Sequence, residues 1–263
     1  MSNIFTKIAD LARALSGKPP MPPKTAAIIL AAGSSTRMGG DTPKQLIELM
    51  DKPVMIHSLL AFEQADYISE IILVTPNGDE REYRALAKEY GIKKVSAVVG
   101  GGDTRNKSAA NGFKKVSPDT KFVAVHDAAR CLVTPEIIDR VCMAAVKYNA
   151  ATAATRCTDT VKISGKNKFV DHTENRDHVW LAQTPQVFLC DLYRAASYIA
   201  EESHLNPTDD NSLIENVGHK VRLVECGKYN MKITTPEDLV VAGAILKSRE
   251  TFPPTLPDDG DED

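Results

Sequence analysis

The chain has no paired-cysteine spacing, no surplus of one charge and no long apolar run, and each shortage removes a class of protein. Its five cysteines, Cys131, Cys142, Cys157, Cys190 and Cys226, are scattered without a CxxC pair. That argues against a disulfide framework and for reduced thiols in a reducing compartment, here taken as the cytoplasm. No apolar run approaches the ~18 residues of a membrane span, and no signal-peptide pattern opens the chain. The formal charge is -3, and the closing DDGDED carries five of the acids and no base, leaving the rest at about +2. Bulk charge therefore gives no footprint for nucleic acid or for a membrane surface.

Two familiar phosphate-loop spacings also fail. A P-loop needs GxxxxGK[ST], whereas the lysine after Gly33 comes eleven residues later and is followed by Gln45. A dinucleotide fingerprint needs GxGxxG, and Gly33 is followed by Ser34, Ser35, Thr36 and Arg37.

What is present is an ordinary globular composition, 263 residues with 43% hydrophobic and 25% charged, enough for one substantial α/β domain. The chain is organised around TAAIILAAGSSTRMGGDTPKQ, Thr25 to Gln45. An apolar run from Ala26 to Ala32 reads as a strand buried on both faces. The small polar residues after it let backbone N–H groups approach an anion, and Arg37 and Lys44 add fixed positive charge. Taken alone, the loop is equally compatible with an ordinary strand-to-helix connection.

The alternation then repeats. Helices are expected over Pro53 to Ala65, Glu80 to Tyr90, Asn106 to Val116 and Pro135 to Tyr148. Strands are expected over Glu70 to Thr75, from Val95 into a glycine loop, over Lys121 to Asp127 and near Ala150 to Arg156. Such alternation implies a doubly wound, mostly parallel sheet of Rossmann-like type, with ligands at the carboxyl ends of the strands. Val161 to Thr173 breaks the pattern with two short runs around Gly165, a β-hairpin expected to project as an arm spanning about 158–180. A helix over Asp191 to Glu202, a short one begun at Thr208 to Asp210 and a strand over Lys220 to Glu225 follow. The last helix starts at Pro236 behind Thr235 as N-cap. Residues 1–24 read as a loose amphipathic extension and stiff linker, 25–249 as the domain, and 250–263 as an acidic disordered tail.

Six stretches in register, AAGSSTRMGGDTPKQ, GGDTRNKS, HDAAR, ENRDHVWLAQTPQ, TDDNSLIE and NMKITTPEDL, make the chain resemble the 2-C-methyl-D-erythritol 4-phosphate cytidylyltransferases of the non-mevalonate isoprenoid pathway. The resemblance implies attack of the methylerythritol phosphate on the α-phosphorus of CTP, with Mg²⁺ and release of pyrophosphate. By position it assigns Arg37, Lys44 and Lys232 to the triphosphate and the transition state, and Asp127 to substrate and metal. Ala31, Ala32, Gly33, Gly102, Asp103, Arg105 and Ser108 fall to the nucleotide. Arg130, Thr160, Arg176, Thr184 and Thr208 fall to the acceptor, and the arm to a homodimer in which it reaches the neighbour's site. The chemistry agrees, because an anionic nucleophile needs no strong base and two anions must be brought together by cations.

Without the resemblance, Asp127 could cap a turn, Arg130 form a surface ion pair and Lys232 stand solvated. His126 reads as a structural hydrogen-bond donor rather than a catalyst. The sequence departs from the family pattern where Ser35 replaces a second glycine and Cys131 replaces a proline. Two rival readings differ in acceptor or in turnover: a pentitol-phosphate cytidylyltransferase such as one using ribitol phosphate, and a non-catalytic nucleotide-binding regulator.

Overall fold

The computed structural model describes residues 22–33, 42–203, 205, 207–252 and 256–257. The amphipathic stretch near the N-terminus, and the part of the first loop that holds Ser35 and Arg37, lie outside the described residues.

The chain opens with β1 (Thr25–Leu30), a small hairpin of β2 (Glu48–Leu49) and β3 (Lys52–Pro53), helix α1 (Val54–Gln64), β4 (Ile68–Thr75) and α2 (Glu80–Glu89). Next come β5 (Val95–Gly100), α3 (Arg105–Phe113), β6 (Phe122–Asp127), α4 (Pro135–Tyr148) and β7 (Ala150–Arg156). The arm strands β8 (Lys162–Ser164) and β9 (Val170–Thr173) precede β10 (Trp180–Leu189), α5 (Cys190–Glu202), α6 (Asp210–Asn216), β11 (Arg222–Glu225) and α7 (Pro236–Arg249). Seven strands form one sheet in the order β11-β7-β10-β6-β1-β4-β5. β1 pairs parallel with both β4 and β6, and β10 runs antiparallel between β6 and β7.

Burial explains the central strands. Ala26 to Ile29 of β1 are wholly buried, because helices cover both faces. One face packs Met55, Leu59 and Phe62 of α1 with Ile138 and Val141 of α4. The other packs Ala109 of α3 with Tyr193 and Ala196 of α5 and Ile214 of α6. Each fully buried large apolar side chain contributes about 1.5–3 kcal/mol, so two such faces hold the sheet rigid. Gly112 lets α3 come closer than any other residue would: a Cβ there would lie 2.6 Å from Ile28 Cγ2 and 2.9 Å from Val74 Cγ2. That approach sets the position of Arg105 at the first turn of α3.

The structure corrects several readings. Pro53 is the N-cap of α1 rather than its first helical residue, since it closes the β2–β3 hairpin. α3 ends at Phe113, and Lys115 and Val116 close turns onto Gly112 and Phe113. His178 to Phe188, given no element from sequence, is mostly the strand β10, whose pairing with β7 slips between Ala182 and Gln186 around the cis Thr184–Pro185 bond. The hairpin forms as expected: among the described residues β8 and β9 pair only with each other, and both are exposed throughout. At its base Arg156 stacks 4.3 Å over Trp180 and donates from Nε to Glu225 at 3.0 Å. Within the tail expected to be disordered, Leu256 packs on the core and the Pro257 carbonyl accepts from Arg140; residues 253–255 and 258–263 lie outside the described ones. Among the described residues no helix is long and apolar enough to cross a membrane.

Candidate active site

Three loops at the carboxyl ends of β1, β5 and β6 meet in an open cavity of about 480 Å³. Its volume falls within the roughly 300–1,000 Å³ usual for small-molecule sites. The β5 loop is built from glycine because space demands it. A Cβ on Gly101 would lie 2.5 Å from Ala32 Cβ, and one on Gly102 would lie 2.4 Å from Lys107 Cβ. Thr104 caps α3, accepting the Lys107 N–H at 3.2 Å. Ser108 Oγ accepts the Gly102 N–H at 3.0 Å and donates to the Thr104 carbonyl at 2.9 Å. Ser108 thus holds the loop in shape. Asp103 stands exposed at the rim, paired with Lys107 at 3.1 Å.

On the β1 side, the Ala31 N–H donates to Val74 O at 2.7 Å. Buried Gln45 donates from Nε2 to the Ala31 carbonyl and, at 3.3 Å, to that of Gly33. Lys44 reaches across the cavity and donates to Ile233 O at 3.1 Å. It therefore sits beside the loop that carries Lys232.

Asp127, the last residue of β6, lies between two cations. Its Oδ1 accepts from Arg105 Nε at 3.2 Å and its Oδ2 from Lys232 Nζ at 2.8 Å. Burial alone would raise this carboxyl, but Arg105 and Lys232 outweigh it and hold it well below the usual carboxylate range. It is an anion at any working pH. Arg105 in turn bonds Asp210, which is fully buried and also accepts from Tyr193 Oη at 2.8 Å.

A second cavity, about 280 Å³, lies on the other side of this network. Arg105, Asp127 and Lys232 line both cavities, and Arg130, Thr184 and Thr208 line the second. Arg130 donates from Nη1 to Asn230 O at 2.9 Å. The Thr184 hydroxyl oxygen accepts the Asp127 N–H at 3.1 Å and is hydrogen-bonded to His126 Nδ1 at 3.1 Å. Burial pulls His126 down to about 3, so the ring is neutral.

Of the residues singled out from sequence, Ala31, Ala32, Gly33, Lys44, Gly102, Asp103, Arg105, Ser108, Asp127 and Lys232 line the first cavity together. Arg37 lies outside the described residues. Thr160 and Arg176 line neither cavity; both are exposed at the arm, where Arg176 Nη1 donates to Thr158 O at 3.0 Å. Sequence reasoning missed Gln45, Asp210 and Asn230 as parts of the site. The signal for each was its place inside a motif quoted for its neighbours.

The donor chemistry bears on the expected divalent cation. Among the described residues, no group of three or more His, Cys, Asp or Glu side chains converges. Asp127 is the carboxylate shared by both cavities, and both its oxygens already accept from cations. Such a set fits a hard cation carried by phosphate oxygens, with Asp127 as a single protein oxygen beside it.

A mostly parallel sheet with paired cavities, fixed cations at their boundary and a glycine loop on one side fits the nucleotidyltransferase class of α/β enzyme. Within that class the sequence model for 2-C-methyl-D-erythritol 4-phosphate cytidylyltransferase matches residues 25–248, and the chain belongs to that family. Curated relatives of that name from Pelotomaculum thermopropionicum and Alkaliphilus oremlandii are 42% and 44% identical, each over 86% of this chain and 96% of its own. A crystal structure of 4-diphosphocytidyl-2C-methyl-D-erythritol synthase from Anaerococcus prevotii superposes with a TM-score of 0.75 at 33% identity, covering 86% of this chain and 99% of that one.

Proposed function

We propose that this chain transfers the cytidylyl group of CTP to the phosphate of 2-C-methyl-D-erythritol 4-phosphate. A phosphate oxygen of the acceptor forms a bond to the α-phosphorus, the bond from that phosphorus to the β-bridging oxygen breaks, and pyrophosphate leaves with its electron pair. The observation that carries the reading is the shared wall: Asp127, Arg105 and Lys232 line two adjoining cavities, one under the glycine loop and one beside Arg130. A nucleotide in the first and a phosphate in the second would meet at Lys232. Because the nucleophile is already charged, the protein's task is to place two anions and to neutralise charge that grows in the transition state.

Lys44 and Lys232 supply that charge, with Arg37 from the first loop. The glycine loop closes around the base and ribose, and its shape excludes larger bases. Arg130 and Thr208 take the acceptor, Arg130 suiting a phosphate through its planar fork of donors. Thr184 orients Asp127. Arg105 is held by two carboxylates and serves as a brace between the cavities, with guanidinium donors left over for a nucleotide. A divalent cation such as Mg²⁺ would enter on the triphosphate, with Asp127 the protein oxygen beside it, and would offset phosphate charge. Thr160 and Arg176 complete the acceptor site from a neighbouring copy, an arrangement supported by the exposed arm and by their distance from this chain's own cavities.

The test is pyrophosphate release. Purified protein with Mg²⁺ should turn over CTP with methylerythritol phosphate and far less with ribitol 5-phosphate, or with ATP in place of CTP. Equal or faster turnover of ribitol phosphate would overturn the acceptor assignment.

A further inference from the structure

The five groups Tyr193, Asp210, Arg105, Asp127 and Lys232 form one hydrogen-bonded chain from α5 to the loop before α7. Its inner end carries no substrate-facing atom. Asp210 is fully buried and lines neither cavity, whereas Arg105, its partner, lines both. The backbone of Asp210 is fixed too, its N–H donating to Gln186 Oε1 at 3.0 Å. One carboxylate oxygen accepts from Tyr193 and the other from the Arg105 guanidinium.

Arg105 has a flexible stem and a rigid planar head. Bonded to Asp127 alone it could pivot about that contact, or turn to face an incoming triphosphate. Bonded to Asp210 as well, it has two anchors on opposite sides and presents a fixed Nε to Asp127 Oδ1. Asp127 is then held so that Oδ2 faces Lys232 Nζ. The charges also balance locally: Arg105 and Lys232 against Asp127 and Asp210. Arg105 is therefore engaged by two carboxylates before substrate arrives, and Lys232 is held at the boundary by Asp127 Oδ2.

We propose that Asp210 is a positioning residue for the transfer reaction, acting through Arg105 to fix Asp127 and Lys232 where the two cavities meet. This rests on the reading above that those cavities take nucleotide and acceptor phosphate. The competing role is a packing tie between α3 and α6, which would affect stability and leave turnover unchanged.

A double-mutant cycle in the full-length protein separates the two roles. Asp210→Asn and Arg105→Gln should each lower kcat about tenfold or more at saturating substrates, with the KM for CTP changed by less than about threefold. If Asp210 acts through Arg105, adding Asp210→Asn to Arg105→Gln should change kcat by no more than about twofold. Additive losses, or a kcat for Asp210→Asn within about twofold of wild type, would overturn the proposal. Should Asp210→Asn fail to fold, Tyr193→Phe keeps the carboxylate and frees its second oxygen. It should lower kcat about threefold in the wild-type background and not at all in Arg105→Gln; an equal loss in both backgrounds sinks the idea. A crystal structure of Asp210→Asn gives a readout free of substrate identity. Arg105 should swing away from residue 210 and pivot about its Asp127 contact there, and an unmoved Arg105 would refute positioning even if the acceptor proved to be a different phosphate.

Discussion

Lys44 shows what a single side chain is asked to do. It sits half-buried against the Ile233 carbonyl, across the cavity from the glycine loop. Charge that grows on the α-phosphoryl group should draw on it more in the transition state than in the ground state. Lys44→Ala is therefore expected to lower kcat by roughly 10²-fold or more while raising the KM for CTP by a smaller factor. Steady-state kinetics with CTP varied at saturating acceptor would check this, and a change in KM alone would mean uniform binding. Lys44, Asp127 and Lys232 were legible in the sequence because each stands in a compact motif. Gln45, Asp210 and Asn230 were not, because their work depends on partners that folding supplies. Asp210 meets Arg105 across 105 positions of chain, and Asn230 meets Gln183 across 47. Ser108 and Thr184 were legible as members of the site, yet their hydroxyls turn out to hold backbone atoms of Gly102 and Asp127.

At the scale of elements, the regular alternation was readable because hydrophobic period and turn chemistry agree there. Pro135 opens α4 as read, with Thr134 as the N-cap that the structure adds, and Thr235 and Pro236 open α7 as read. The β2–β3 hairpin was not readable, since two-residue strands carry no period. β10 was hidden by the polar and proline residues of its own bulge, which are the residues that bring Thr184 to Asp127. The glycine loop gives an element-scale prediction. Gly101→Ala would press a methyl group against the Ala32 side chain, which has no freedom to turn away. Forced overpacking of this kind costs about 1–3 kcal/mol. The strain falls where the β1 and β5 loops meet, so the KM for CTP should rise by about tenfold while the acceptor KM stays near wild type. Gly165→Ala in the arm meets its nearest atom at 3.4 Å and serves as the control, with stability within about 0.5 kcal/mol of wild type. Thermal melts and the two KM values decide it, and an unchanged KM for CTP would remove the loop from nucleotide binding.

At the scale of the whole molecule, the arm poses the remaining question of which chain its residues serve. At its tip Phe169, just before β9, is 73% exposed and Val170 on β9 is 58% exposed, an apolar surface suited to a second copy. Arg176 lies at the arm's return, tied to Thr158 and apart from both cavities of its own chain. If the arm completes a neighbour's acceptor site, a Lys44→Ala dimer and an Arg176→Ala dimer should each be nearly inactive, and mixing them should restore activity. In a mixed dimer the body with intact Lys44 receives intact Arg176 from its partner, whereas the other site carries both lesions. Random exchange makes about half of the dimers mixed, so about a quarter of wild-type activity should return in a symmetric dimer. Native mass spectrometry would confirm that exchange had occurred. If Arg176 served its own chain instead, every site in every dimer would keep one lesion, and confirmed exchange without recovered activity would exclude the shared site.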